Sequence, residues 1–336
     1  MVQRIIDATV TNGAAPRSRR AAVQRVKVDE GSAGQRLDNF LLRLLKGVPK
    51  THVYRVIRSG EVRVNRGRAG ADTRLTTGDE VRVPPVRLAE RATAAPAPAR
   101  EFPVLYEDDL LIAVDKPAGV AVHGGSGVSF GVIEQLRRAR PQARFLELVH
   151  RLDKQTSGVL LLAKKRSALT ALQDQFRARR TDKTYAALAA GAWPASKKLI
   201  DVALHKFEAA DGRRRVRAVG ADDAVGRRSI SLVRVTQRFQ RFTLLEVTIR
   251  TGRTHQIRVH LAHEGHPIVG DDQYGDFELN RQFARGEGLA GVRFARMFLH
   301  ARSLAFDHPV SGERIEVESP LPAECTRLLG VLSEPH

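Results

Sequence analysis

Apolar positions change period along this chain, and the changes divide it. In residues 30–88 the pattern is first helical. Leu37, Phe40, Leu41, Leu44 and Leu45 recur at the three- and four-residue steps of one helix face, and Gly47 stands where that helix would end. Thr51 is placed to cap a second helix carrying Val53, Val56 and Ile57, which stops at Gly60. The period then falls to two in Val62-Arg63-Val64 and in Val81-Arg82-Val83, with turn residues at Asn65-Arg66-Gly67 and Thr77-Gly78-Asp79-Glu80. Two helices and a hairpin are therefore predicted. Residues 89–100, AERATAAPAPAR, have no apolar period and read as an Ala/Pro linker. Residues 101–332 make up a larger unit. In it strands are predicted at Leu146–Val149, Val159–Ala163, Thr184–Ala189 and Leu244–Ile249. A helix is predicted from a Thr254 cap through Ile257 and Leu261 towards Gly265. No internal repeat is evident. Residues 1–29 have no apolar run of signal-peptide type and read as a disordered basic arm, with Arg4, Arg17, Arg19, Arg20 and Arg25 among small and polar residues.

Composition narrows the partner. No window approaches the roughly 18 consecutive apolar residues of a membrane span. The one cysteine, Cys325, leaves no disulfide within the chain and no thiolate metal site, which suits a reducing cytoplasm. The net charge of +19 and pI near 10.9 imply long-range attraction to polyanions, nucleic acid first. An Arg- and Ala-rich proteome bias would exchange Lys for Arg but would not create net charge. Between Arg36 and Arg87, twelve Lys or Arg stand against five Asp or Glu, so the small unit is itself basic.

Two polar segments flanked by strands hold the candidate chemistry. In LVHRLDKQTSGVLLLAKK, one carboxylate, Asp153, lies among His150, Arg151 and Lys154 on a loop that two apolar strands pin. From the residues alone Asp153 has three readings: a turn-former or ion-pair partner of Arg151 or Lys154, a metal ligand, or a nucleophile or acid/base. In TLLEVTIRTGRTHQIRVHLAHEGHPIVG, a strand, the turn Thr251-Gly252-Arg253 and a helix carry Arg253 and Arg258, an arrangement suited to a phosphate or a carboxylate partner. Its histidines, His255, His260, His263 and His266, fit none of the specific zinc spacings and read as packed or surface side chains, so no metal is expected. Tyrosine is scarce, with four in the chain. Tyr185 reads either as a buried strand aromatic or as a stacking platform for an unpaired base.

The stretch GQRLDNFLLRLLKGVPKTHVYRVIRSGEVRVNRGR resembles the S4 RNA-binding domain. The resemblance implies that Arg36, Lys50, Arg55, Arg58 and Arg63 face RNA phosphates, against the plainer reading of each as a solvated surface cation. From Gly34 to about Leu329 the chain resembles the A-type family of ribosomal large-subunit pseudouridine synthases, most of all its C-type branch, which acts on 23S ribosomal RNA. The segments that carry this are YEDDLLIAVDKPAGVAVHGGSG, FLELVHRLDKQTSGVLLLAKK and TGRTHQIRVHLAHEGHPIVGDDQYG, with HRLDKQTSG the most specific.

The resemblance implies an α+β fold: a catalytic domain on a mixed, largely antiparallel sheet with a central cleft, beside a small α+β S4-like domain. It implies isomerisation of specific uridines in 23S rRNA by base flipping, without a cofactor. The catalytic aspartate falls on Asp153, the base-stacking tyrosine on Tyr185, the aspartate-pairing arginine on Arg258, and the arginine that fills the gap left by the flipped nucleotide on Arg151. Lys116 and Pro117 of DKPAG are expected to shape the cleft. Asp271 and Asp272 of GDDQYG are the nearest second carboxylates, with a structural role preferred. Residues 209–223, AADGRRRVRAVGADD, depart from the pattern; Asp211-Gly212 suggests a hairpin turn, made basic by Arg213, Arg214, Arg215 and Arg217. Ser231 stands where the family often has Thr. The expected partner is large-subunit rRNA, with no membrane and no metal, and the chain is expected to be a cytoplasmic monomer. The competing readings are a non-catalytic RNA-binding ribosome-assembly factor and an RNA glycosidase or nuclease.

Overall fold

The computed structural model describes residues 23–45, 47–86, 97–125, 129–209, 214–220, 222–287 and 291–334. They fall into two compact units, one within Met1–Thr93 and the other within Ala94–His336. No helix among the described residues is long and apolar enough to cross a membrane.

The first unit contains β1 (Gln24–Lys27), α1 (Leu37–Leu44), α2 (Lys50–Arg58), β2 (Arg63–Val64), β3 (Gly67–Arg68) and β4 (Glu80–Val83). The strands form an antiparallel sheet in the order β1-β4-β2-β3. Leu37, Phe40, Leu41, Val53, Val56 and Ile57 meet Leu75 and Val81 in its core, the helix faces that their spacing predicts. Asn65 and Arg66 both take positive φ, 47° and 69°, and close β2 onto β3 with a two-residue turn whose twist matches the strands.

Three expectations are corrected in this unit. Gln24–Lys27, placed in the disordered arm, is a strand paired with β4, and Arg25 meets Glu80 across the pair at 2.9 Å. The α2 helix starts at Lys50 rather than behind a Thr51 cap. Pro49 precedes it with φ −55°, and its carbonyl accepts from the His52 and Val53 N–H groups. Leu44 is exposed, and Leu45, just past the helix, takes the buried place. The rest of the arm, residues 1–22, and most of the linker, residues 87–96, lie outside the described residues.

The second unit runs β5 (Val104–Glu107), β6 (Leu111–Lys116), α3 (Val132–Ala139), β7 (Glu147–Leu148), β8 (Ser157–Ala163), α4 (Arg166–Arg177), β9 (Asp182–Ala190), β10 (Leu199–Asp201), β11 (Ala203–Glu208) and β12 (Arg214–Val219). It continues with β13 (Ile230–Arg238), β14 (Phe242–Ile249), α5 (Gln256–His263), α6 (Phe277–Arg285), β15 (Leu299–Asp307), β16 (Arg314–Glu318) and α7 (Ala323–Leu332). The main sheet has the order β10-β13-β14-β9-β15-β8-β6-β5, with β16 joined to β15 and β7 to β8. Its pairs are antiparallel except β15 with β8, so the fold is α+β on a mixed, largely antiparallel sheet, as expected.

Strand β8 explains its own sequence. Every residue in it is buried, so both faces need apolar side chains and the run SGVLLLA does not alternate. Leu160 and Leu162 enter the core under β9, β14 and α5, while Val159, Leu161 and Ala163 enter the opposite core with Leu172 of α4 and Phe306 of β15. The ribbon β11–β12 stands apart from the sheet, paired from Ala203↔Val219 to Glu208↔Arg214. The turn expected at Asp211-Gly212 lies outside the described residues, between two strands that are antiparallel partners.

Gly158 opens β8 where it meets β15. Its φ is 108°, and a Cβ there would stand 2.2 Å from the Ala301 carbonyl oxygen. Gly158→Ala should therefore lower stability by about 3 kcal/mol, read as a shifted urea midpoint with an unchanged slope.

Candidate active site

The loop between β7 and β8 carries Asp153 and is held from three sides. His150 accepts from the Leu161 N–H at 3.1 Å and stacks on Phe176 with ring centroids 5.0 Å apart. Burial, and then the Lys183 charge, push its imidazole down to about 3, so it stays neutral and serves as an acceptor. The Asp153 carbonyl accepts from the Thr156 N–H at 3.1 Å, and Leu152 is buried beneath the loop. Lys116 stitches this loop to its neighbour. Its fully buried side chain donates to the carbonyls of Pro117 (2.9 Å), Val120 (2.8 Å) and Lys154 (3.2 Å), and the Gly119 N–H joins Lys154 O at 2.8 Å. Burial, aided by the Arg296 charge and opposed by Asp153 and Asp115, pushes the Lys116 ammonium down to about 7.

The side chain of Asp153 is about a fifth exposed. Its Oδ2 stands 3.7 Å from Arg258 Nη1 and 3.9 Å from His255 Nε2, both beyond hydrogen-bond length. The sequence pairs Arg258 with Asp153, but its tightest partner is elsewhere. Asp271, fully buried, receives the guanidinium fork at 2.7 and 2.7 Å, and Asp272 approaches at 3.3 Å. Asp271 also accepts from the Gln273 and Tyr274 N–H groups at 2.9 and 3.0 Å. Burial works against both charges. The fork more than offsets it, holding the Asp271 carboxyl below its ordinary range and the Arg258 guanidinium above its own. The structural role preferred for Asp271 is thus an ion pair that fixes Arg258, while the Asp272 side chain is mostly exposed.

The start of α5 differs from the expectation. Thr254 does not cap it; the helix begins at Gln256, after His255 in a left-handed turn with φ 53°. Gln256 instead holds the turn ahead of the helix. Its Oε1 accepts from the Thr251 hydroxyl (2.7 Å) and the Arg253 N–H (3.1 Å), and its Nε2 donates to the Ile230 carbonyl (2.9 Å) and the Ser231 hydroxyl (3.1 Å). All four contacts are at a residue 3% exposed, so the network is satisfied where an open group would be costly. Ser231 also meets His260 Nδ1 at 3.0 Å.

Tyr185 projects from β9 and is buried, walling an inner pocket with Leu152, Ile249 and Leu299. Burial first, and then the Asp153 charge, raise its phenol above its ordinary range, so it stays neutral. The inner pocket is small, about 60 Å³. It shares Leu152, Asp153, His255 and Arg258 with an adjoining cleft of about 650 Å³, whose rim carries Arg151, Lys154 and Lys206. Asp153, Tyr185 and Arg258 thus come together, with Arg151 exposed at the edge. The remaining predicted cations belong to the first unit. There Arg36 forks onto Asp38 at 2.8 and 3.2 Å, Arg55 lies 3.9 Å from Glu61, Arg63 is half-buried, and Lys50 and Arg58 are exposed.

Among the described residues, no group of three or more His, Cys, Asp or Glu could hold a metal ion. No functional part falls to His255, Gln256 or Tyr274 from the sequence alone. One signal was available: Tyr274 is as rare a residue type as Tyr185 and stands in GDDQYG.

The family profile described as RNA pseudouridylate synthase matches residues 110–263, and the S4 domain profile matches residues 35–81. The chain is 50% identical over 305 residues to a protein of Yersinia pestis named ribosomal large subunit pseudouridine synthase C, covering 89% of this chain and 92% of that one. It is 48% identical over 314 residues to the Escherichia coli K12 protein of the same name, covering 92% and 96%. Among solved structures, human RNA pseudouridylate synthase domain containing 4 superposes with a TM-score of 0.56 at 26% identity, covering 68% of this chain and 92% of that one.

Two outcomes are expected from the buried charges. Asp271→Asn leaves the Arg258 fork without its tightest counter-charge and should cost about 3–5 kcal/mol in chemical denaturation. Lys116 binds its proton in both folded and unfolded chains below pH 7. Between about 7 and its ordinary 10.5, the unfolded chain holds a proton that the folded chain has released. Stability relative to Lys116→Met should accordingly rise with pH across that window, at up to about 1.4 kcal/mol per unit, as read from denaturation midpoints.

Proposed function

The chain belongs to the RNA pseudouridylate synthases, and we propose that it isomerises uridines of large-subunit ribosomal RNA to pseudouridine, with Asp153 as the catalytic carboxylate. In this reaction the bond between uracil N1 and the sugar C1′ breaks and a bond from C5 to C1′ forms. The C5 hydrogen leaves as a proton and N1 gains one, so redox state is unchanged and no cofactor is consumed.

The observation that carries the role of Asp153 is its isolation. Among the described residues it is the one carboxylate lining the inner pocket, facing Tyr185 and Arg258. Sugar-bond hydrolysis uses two carboxylates flanking the bond. Here Asp271 has both oxygens taken by Arg258, and Asp272, which lines the adjoining cleft, accepts from the same guanidinium at 3.3 Å. A single carboxylate fits an isomerisation in which water does not attack.

A target base inside an RNA helix must leave its stack, at a cost of a few kcal/mol. Arg151 on the rim fills the vacated place, and the cleft takes the sugar and phosphates against Lys154 and Lys206. Uracil then stacks on Tyr185. An inner pocket of about 60 Å³ holds about two waters, so its walls yield as the base enters, and Asp153 closes on Arg258 at the same time. In the first unit, Arg36, Lys50, Arg55, Arg58 and Arg63 add phosphate contacts whose strength falls with salt. The names of the curated relatives support large-subunit rRNA as the substrate, and the same reading takes the protein as a monomer in the cytoplasm.

Incubation with unmodified 23S rRNA tritiated at uracil C5 tests this. Wild type should release tritium while leaving the strands intact, and Asp153→Asn should release none while binding RNA equally well. Free uracil or cut strands would instead mean a glycosidase or nuclease. RNA binding without release from wild type, on free rRNA and on assembly particles alike, would mean a binding factor.

A further inference from the structure

Tyr274 touches both partners of Asp153. Its ring lies under the Arg258 guanidinium, 5.1 Å from the centroid, and meets the His255 ring edge to face at 5.6 Å. Its oxygen is 2.8 Å from His255 Nδ1 and accepts from the Val216 N–H of β12 at 3.1 Å. A phenol has one hydrogen to give. Among the described residues, His255 Nδ1 is the acceptor in place to take it. A phenol that donates to Nδ1 requires that nitrogen bare, and a neutral imidazole in that state carries its proton on Nε2. Nε2 is the nitrogen 3.9 Å from Asp153 Oδ2.

We propose that Tyr274 fixes His255 as the Nε2–H tautomer, and that the pair positions the Asp153 carboxylate for reaction while the β11–β12 ribbon holds the tyrosine through the Val216 N–H. This rests on the reading of Asp153 as the catalytic group.

Three further observations agree. His255 occupies a left-handed backbone conformation, φ 53° and ψ 22°, that is uncommon for a non-glycine residue, although His takes it more readily than most. Such conformations persist where surrounding contacts fix them, and they cluster at working sites. Burial, only partly offset by the Asp153 charge, lowers the His255 imidazole below its ordinary range, which favours the neutral ring that a fixed tautomer requires. The ribbon is seated firmly: Leu204 and Val216 bury against Val259 of α5, with Tyr274 packed on them.

The arrangement gives the ribbon a consequence for catalysis. It carries Lys206, which lines the cleft, and Arg217, which stacks over Phe207 at 5.4 Å. RNA drawn onto this basic ribbon presses on the strand whose N–H sets the tyrosine. Contacts of 3.7 and 3.9 Å to Asp153 in the unliganded site are of the kind that tighten when substrate is bound.

The test uses the full-length protein labelled with ¹⁵N-histidine, with His255→Asn to assign the resonance. Asparagine accepts a left-handed backbone, so that variant removes the ring while sparing the turn. Wild type should show His255 protonated on Nε2 and bare on Nδ1, and Tyr274→Phe should mix the two tautomers. Single-turnover tritium release should fall about ten- to hundredfold in Tyr274→Phe and in His255→Asn, with RNA affinity unchanged. A wild-type His255 protonated on Nδ1, or on both nitrogens, would overturn the tautomer assignment. A Tyr274→Phe protein with wild-type single-turnover rate would overturn the positioning role, and so would a loss of rate matched by equal loss of RNA binding. Failure of wild type to release any tritium would count against the catalytic reading itself, while the nitrogen spectra would still decide the tautomer.

Discussion

A guanidinium with almost no surface in water must find its counter-charge inside the protein, and Arg258 draws the active site together by that requirement. Asp271 supplies the counter-charge through two short bonds, and its own remaining acceptor capacity is met by backbone N–H groups of the following turn. Because Asp271 takes the fork, Arg258 is fixed without committing to Asp153. The Asp153 carboxylate is left facing a rigid positive charge at 3.7 Å, attracted but not locked. Preorganised charge held at a short distance costs no reorganisation at the moment of reaction.

The same economy of buried polar groups organises the loops. Lys116 is an ammonium used as a knot, gathering three carbonyls from two loops that would otherwise leave acceptors open. His150 plays the complementary part as a neutral acceptor for β8, and Gln256 closes the turn ahead of α5 with four contacts. These side chains resemble catalytic groups in kind. Their hydrogen-bond capacity is spent on backbone and neighbours, and that separates them from Asp153, whose carboxylate remains partly open to the cleft.

The cleft in turn suits a polyanion. Its rim cations, Arg151, Lys154 and Lys206, stand around a depression whose inner end sets Leu152, Tyr185, Ile249 and Leu299 beside Asp153 and Arg258, so phosphate and base have separate surroundings. Steering by net positive charge brings RNA to the surface without selecting a sequence. Selection among uridines must then come from the shape that can enter and from the contacts each unit makes with the RNA around the target.

The sequence by itself determined the helix faces of the first unit, the apolar run Val159–Ala163 of β8 and the pinned polar loop of Asp153. These are local consequences of period, turn chemistry and burial. Motif resemblance named Asp153, Tyr185 and Arg258, and the three converge on one pocket. What the sequence left open were pairings between distant segments. Arg258 and Asp271 are thirteen residues apart, and no period fixes which carboxylate the fork will reach. Gln24–Lys27 looks like a polar arm until β4 offers it a ladder of backbone partners. Thr254 looks like a cap until the chain turns left-handed at His255 and Gln256 ties down the turn ahead of the helix. Val216 and Tyr274 meet only because a ribbon folds onto α5. Hydrogen-bond capacity is written in residue types, but its partners are chosen by packing, and those choices belong to the tertiary structure.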